Sequence, residues 1–380
     1  MSRRNPHGSL RIAQICSIGT EVRRGAGESV EQLVALLCDE LVARGHEVTL
    51  FATGDSQTSA ELRFLYERGY EYDEELWDWQ LSEYTHVGHA YAHAHEFDVI
   101  HCHSYHFGLP FIPFVNTPNV HTHHVQMEPG VISAYRRQSH VKLVTVSDFQ
   151  AQIYAPRPNV ELIPHGIETA AFPFGDGRGG YLLFLGRMIK DKGPAEAIEI
   201  ARRAGMPLVL AGPAEEWFLE HVAPNIDGHD VTYVGRVDPP ERDRLLAGAA
   251  ALLYPLLYPE PFGLVVIEAM ACGTPVLGTA IGAVPELVEP GLTGYLTGSW
   301  EGLAELVPRA LELDRRAIRA RAVERFDYRR MVDRHEALYR RMVGSESLAG
   351  GASGSAGSSA SRGRIALTTL RALDGLDGTR

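Results

Sequence analysis

Short apolar runs alternate with helical repeats over most of this chain. Residues 10–16 read as a buried strand, and a loop carrying Gly19, Gly25 and Gly27 follows over 17–28. Val30, Leu33, Val34, Leu37 and Leu41 then fall at helical spacing over 29–44. Gly45 ends that helix, and 47–51 is the next strand. Strand, glycine loop, helix, strand is the opening of a Rossmann-like unit. Further strands are predicted at 97–103, 119–124 and 141–147, with Ser147 placed to cap a helix over 148–154. Residues 66–95, rich in aromatics and acids, predict one or two helices packed on the first sheet.

The same order restarts in the second half. Residues 181–186 predict a buried strand and 194–203 a helix. Strands follow at 207–211 and 231–237, a short helix at 245–250 and a strand at 251–255. The polar, glycine-rich stretch 174–180 separates the halves and reads as a linker. Residues 315–343 are strongly helical and arginine-rich, but interleaved acids make a solvated face the expectation rather than membrane contact. Residues 344–363 are rich in Gly, Ser and Ala and predict no fixed structure.

Composition narrows the classes. The 380 residues suffice for two domains, and 45% hydrophobic with 22% charged residues is ordinary for a soluble globular protein. A net charge of −12 argues against nucleic-acid binding. No run of eighteen apolar residues is present, and residues 1–16 lack the apolar core of a signal peptide, so a cytoplasmic location is expected. Cys16, Cys38, Cys102 and Cys272 stand apart in apolar surroundings and read as reduced core thiols. Ten histidines lie between His86 and His124, yet their spacing along strands converges poorly on one ion, so no metal is expected.

The chemistry concentrates at 258–279, YPEPFGLVVIEAMACGTPVLGT. Glu260 stands in a loop with Pro261, Phe262 and Gly263, and Glu268 stands two helical turns further on. Gly263 permits close backbone approach, and the free N–H groups of the following helix start favour an anion. Two carboxylates flanking an anion site suit a sugar nucleotide. The other half of such a site is Arg187–Gly193, RMIKDKG, where Arg187 and Lys192 crowd a helix start. Cations there oppose the helix dipole unless an anion is bound.

These segments resemble the family 4 glycosyltransferases, the retaining enzymes of GT-B fold, through the Glu-x7-Glu signature and the Gly-Arg…Lys-Gly element. The resemblance covers residues 10–343. It implies an α/β protein with two Rossmann-like domains facing each other across a cleft and a C-terminal helix crossing back. On that reading residues 1–175 bind the acceptor, 176–328 bind the donor, 329–343 return to the first domain, and 344–380 form a tail. The implied reaction moves a hexose-type sugar, with retention, from a UDP- or GDP-sugar to a hydroxyl acceptor that is a saccharide, a lipid-linked sugar or a small molecule. The resemblance implies catalytic roles for His121, Glu260, Arg187 and Lys192. It implies donor contacts at Gly25, Gly27, Arg187, Lys192, Val237, Glu260, Phe262, Gly263, Leu264, Val265 and Glu268. No metal or cofactor is expected, since no Asp-x-Asp motif is present. A sugar-nucleotide epimerase of the same shape, or a non-catalytic nucleotide-sugar binder, are the competing readings. Oligomeric state is left open. The family's Ile-Pro-Asn-Gly segment departs here, with His165 in place of Asn and Glu168 in place of Asp. The glycine loop departs too, because Ala26 interrupts the usual paired glycines.

Overall fold

A computed structural model describes residues 8–25, 29–125, 128–138, 141–155 and 159–352. The first half carries seven strands: β1 (Arg11–Ile15), β2 (Glu47–Phe51), β3 (Glu61–Arg63), β4 (Val99–Cys102), β5 (Asn119–Thr122), β6 (Lys142–Thr145) and β7 (Val160–Leu162). They pair in the order β3-β2-β1-β4-β5-β6-β7, every pair parallel. The order reverses between β1 and β4, and such a switch point opens a crevice at the strands' carboxyl ends. The loops that follow β1 and β4 therefore border that crevice.

The second half repeats the plan with β8 (Leu182–Leu185), β9 (Leu208–Ala211), β10 (Val231–Tyr233), β11 (Ala251–Tyr254), β12 (Val276–Thr279) and β13 (Gly294–Thr297). Their order is β10-β9-β8-β11-β12-β13, again parallel. The reversal lies between β8 and β11. The two loops that follow those strands are Arg187–Gly193 and the segment holding Glu260. The two stretches singled out in the sequence thus flank one switch point. Buried Val, Ile and Leu dominate both sheets, as strands covered by helices on two faces require.

The predicted return to the first lobe is present. The helix Arg315–Phe326 packs on Leu264–Ala271. At Asp327 the helix breaks, and the chain crosses beside Ile167, whose N–H donates to Phe326 O at 2.8 Å and whose carbonyl accepts from Tyr328 N at 2.9 Å. From Tyr328 to Val343 the next helix packs into the core of the first lobe. Tyr339 Oη bonds Gln14 at 3.1 Å and His101 Nδ1 at 2.5 Å, and Arg44 reaches Asp333 and Glu336. Described elements up to Val343 belong to one compact unit.

Several predicted boundaries move. Residues 315–343 form two helices, because Asp327 pairs with Ile167 instead of continuing the turn. The second of them continues past Val343 to Ala352. The helix placed at 245–250 is Pro239–Gly248: two prolines suit a first turn, and Asp238 accepts from Glu241 N at 2.9 Å. Within 66–95 the only α-helix is Trp79–Ala92, started by Asp78. Ser147 does cap Asp148–Tyr154, accepting from Gln150 N at 3.1 Å.

Candidate active site

The turn after β8 sets the cationic side. Residues Lys190–Lys192 form one 3-10 turn, and Gly193 ends it at φ 77 before the helix Pro194–Ala204. Only glycine fits there, since an added Cβ would stand 2.2 Å from Pro255 O. That close approach ties the turn to the chain leaving β11, which carries Glu260. Lys192 Nζ makes an ion pair with Glu260 Oε1, both side chains about one-fifth exposed. Tyr254 Oη donates to the other oxygen, Glu260 Oε2. Burial, and then the neighbouring Arg187 charge, push the Lys192 ammonium down to about 8, with Asp191 opposing. Arg187 itself is exposed.

The anion-facing helix is Leu264–Ala271, preceded by Gly263 at φ 126. A Cβ on Gly263 would lie 3.3 Å from Tyr254 Oη, so the Glu260 hydrogen bond and the helix start share one corner. Glu268 sits on the same helix with its side chain 13% exposed. Its nearest charge is Arg242 Nη1 at 3.6 Å, and Arg242 also packs over the Phe172 ring at 5.2 Å. Burial raises the Glu268 carboxyl, with Arg242 pulling it down. A hollow of about 120 Å³ collects Glu268, Leu264 and Arg242 from the second lobe and Gly25, Ser29 and Leu33 from the first. Two loops and two helix starts from both lobes therefore border one crevice.

The predicted residues sort by where their side chains go. Lys192, Glu260 and Gly263 meet at one corner through Tyr254, and the Arg187 charge acts on Lys192 there. Gly25, Leu264 and Glu268 line the adjoining hollow. Val237 and Val265 are partly buried against the core of the second lobe. Gly27 lies outside the described residues. Two residues are turned away from the crevice. Phe262 is 4% exposed, and its ring packs edge-on against His165 and Phe326, so only its backbone borders the loop. His121 is fully buried. Tyr135 Oη donates to Tyr105 O at 2.9 Å, so it accepts from His121 Nδ1–H at 3.2 Å, while Nε2 accepts from Tyr91 Oη at 3.1 Å. The expectation that His121 borders the reacting sugar is therefore corrected: its ring lies beneath the crevice wall, with both nitrogens held by tyrosines.

Three residues of the site had no sequence signal. Tyr254 and Arg242 are partners of the two motif carboxylates, and Tyr105 is an exposed residue of the loop after β4. Among the described residues, no group of three or more His, Cys, Asp or Glu side chains is arranged to hold a metal ion. All four cysteines are buried and free. No described helix is long and apolar enough to cross a membrane.

Two parallel-sheet lobes with this crevice define a GT-B glycosyltransferase shape. The sequence pattern of Glycosyltransferase Family 4 matches residues 30–171, and that of Glycosyl transferases group 1 matches residues 173–325. The chain belongs to the family 4 glycosyltransferases. It is 31% identical over 273 residues to a glycogen synthase of Mycobacterium tuberculosis, a match taking in 61% of this chain and 66% of that protein, just under two thirds of its length. It is 27% identical over 360 residues to a phosphatidyl-myo-inositol mannosyltransferase of Mycolicibacterium smegmatis, covering 83% of this chain and 89% of that one. Among solved structures, sucrose-phosphate synthase from Thermosynechococcus elongatus superposes with a TM-score of 0.73 at 21% identity, over 88% of this chain and 100% of that one. Anabaena HepE in complex with UDP-glucose superposes with a TM-score of 0.63 at 17% identity, over 90% and 100%. At these identities the two structures speak for the fold.

Proposed function

We propose that this glycosyltransferase moves a hexose from a UDP- or GDP-sugar to a hydroxyl acceptor with retention, and that it needs no metal. The observation that carries the reading is the corner formed by Arg187, Lys192, Glu260 and the start of the helix Leu264–Ala271. A diphosphate fits there because two cations and a set of free N–H groups converge. Its arrival opens the Lys192–Glu260 pair. Lys192 then faces phosphate, and Glu260 is released to accept hydrogen bonds from the donor sugar. Glu268 accepts from the ribose hydroxyls in the adjoining hollow, which Gly25 also lines. HepE, of the same fold, holds UDP-glucose, which supports a donor of this kind.

In the step itself the bond from the sugar's anomeric carbon to the phosphate oxygen breaks. The acceptor oxygen bonds that carbon on the same face, and its proton goes to the departing phosphate. Arg187 and Lys192 offset the charge that builds on that phosphate. The acceptor comes from the first lobe, as a saccharide, a lipid-linked sugar or a small molecule. Four buried thiols suit a reducing compartment, and we place the protein in the cytoplasm.

A thermal-shift panel of UDP-, GDP- and ADP-sugars in EDTA tests this. A ligand at one hundred times its Kd stabilises by about 2.7 kcal/mol. One donor class is expected to raise Tm clearly and to be turned over in the chelator. No shift with any of the three, or turnover that stops in EDTA, would contradict the reading.

A further inference from the structure

Among the described residues, Tyr105 is the only non-glycine with positive φ, at 40. A tyrosine rarely takes that conformation, and where one is held there the surroundings must impose it. Here they do. The residue lies in the loop that leaves β4 at the first lobe's switch point. Tyr105 N donates to His103 O at 3.1 Å, which tightens the turn. Ser104 Oγ donates to the buried carboxylate of Glu83 at 2.7 Å on one side. On the other side Gly108 sits so close to His121 that an added Cβ would stand 2.7 Å from the ring.

The Tyr105 carbonyl is gripped from below by a buried line of hydroxyls and one imidazole. Tyr91 Oη donates to His121 Nε2, His121 Nδ1–H donates to Tyr135 Oη, and Tyr135 Oη donates to Tyr105 O. Tyr91, His121 and Tyr135 are all nearly or fully buried. The ring they hold up is not: Tyr105 is 45% exposed. Burial of the rest lifts its phenol above the usual range, and Arg187 of the opposite lobe pulls it down again. The strained, exposed residue thus stands in the loop at the first lobe's switch point, where the crevice opens.

We propose that Tyr105 is the first-lobe residue that meets the acceptor at the reacting centre, and that His121 positions it through Tyr135 without touching the sugar. This rests on the transferase reading above. Tyr105 is a contact residue; Tyr135 and His121 are positioning residues.

The test is nucleoside diphosphate release by the full chain from UDP-glucose, GDP-mannose or ADP-glucose, with maltose present and water always available as acceptor. Glycine is relaxed at this φ, so Tyr105→Gly is expected to keep or raise Tm. It is expected to lose at least tenfold in kcat with donor KM within twofold. Tyr105→Phe, which returns the ring, recovers most of the loss. Tyr135→Phe lowers kcat severalfold at unchanged donor KM. Combined with Tyr105→Gly, it adds nothing, because the residue it positions is already gone. Wild-type kcat in Tyr105→Gly, or a loss that appears in donor KM, would overturn the contact. Additive losses in the double variant would overturn the positioning role. A wild type that releases nucleotide from none of the three donors would overturn the transferase reading, and this assignment with it.

Discussion

At the scale of single residues, Lys192 decides how the site responds to pH. An ordinary lysine stays charged to about pH 10.4. Here burial and Arg187 bring the ammonium down to about 8. Above that pH the free enzyme must take up a proton to present a cation to phosphate. Pyrophosphate affinity measured by calorimetry should therefore fall about tenfold per pH unit above about pH 8. Lys192→Arg, whose guanidinium stays charged, should remove that fall. Affinity flat to pH 10 in the wild type would contradict the assignment. Glu260, Glu268, Arg187 and Lys192 were legible in the sequence because each sits in a short linear pattern whose spacing sets its orientation. His121 was not. Its place was legible, at the end of β5, but its ring is aimed by Tyr91 and Tyr135, which reach it only through the fold. The ring of Phe262 is likewise aimed by tertiary contacts, with His165 and Phe326.

At the scale of elements, the return helix is the distinctive piece. Its His335 and Tyr339 join a buried column running through His101, His103, His124 and His165 to Phe262 of the donor-side loop. The column is neutral because burial disfavours the charged imidazole. His165 is pushed down to about 3, and His335, like His86 under β1, to about 4. An imidazole whose folded value lies below its unfolded value of about 6.5 gives its full stability above that pH. The stability is lost as pH falls from about 6.5 toward the folded values, since the unfolded chain takes up the protons first. At pH 5 the loss is about 2 kcal/mol for each of these three groups. Tm should therefore drop by several degrees between pH 7.5 and 5, and an unchanged Tm would contradict a neutral column. The histidine-rich strand ends were visible in the sequence, but His335 lies more than 200 residues from His124, so nothing local revealed that they share one interior. Helix ends were read well where a cap was local, as at Ser147, and badly where a tertiary contact breaks the helix, as at Asp327.

At the scale of the whole molecule, two similar halves were legible from the repeated strand and helix order, and so was the helix that returns to the first lobe. The contacts that join the lobes were not. Glu286 of the second lobe caps the helix Asp148–Tyr154 of the first, accepting from Asp148 N at 2.8 Å and Phe149 N at 2.7 Å. A carboxylate at that helix start is favoured by the dipole as well as by the bonds. Arg24, beside the glycine loop, pairs with Glu168, which stands where the family has aspartate. That pair is largely exposed and contributes little stability, so it sets the loop's position more than its energy. Such contacts depend on how two folded bodies meet, and no spacing along the chain encodes them.

The most direct test of the central claim is a crystal structure of the protein with the nucleotide sugar that most raises its Tm. The diphosphate is expected against the start of the helix Leu264–Ala271, with Lys192 Nζ moved from Glu260 onto a phosphate oxygen and Arg187 on the same group. A diphosphate bound elsewhere, with the Lys192–Glu260 pair still closed, would contradict it.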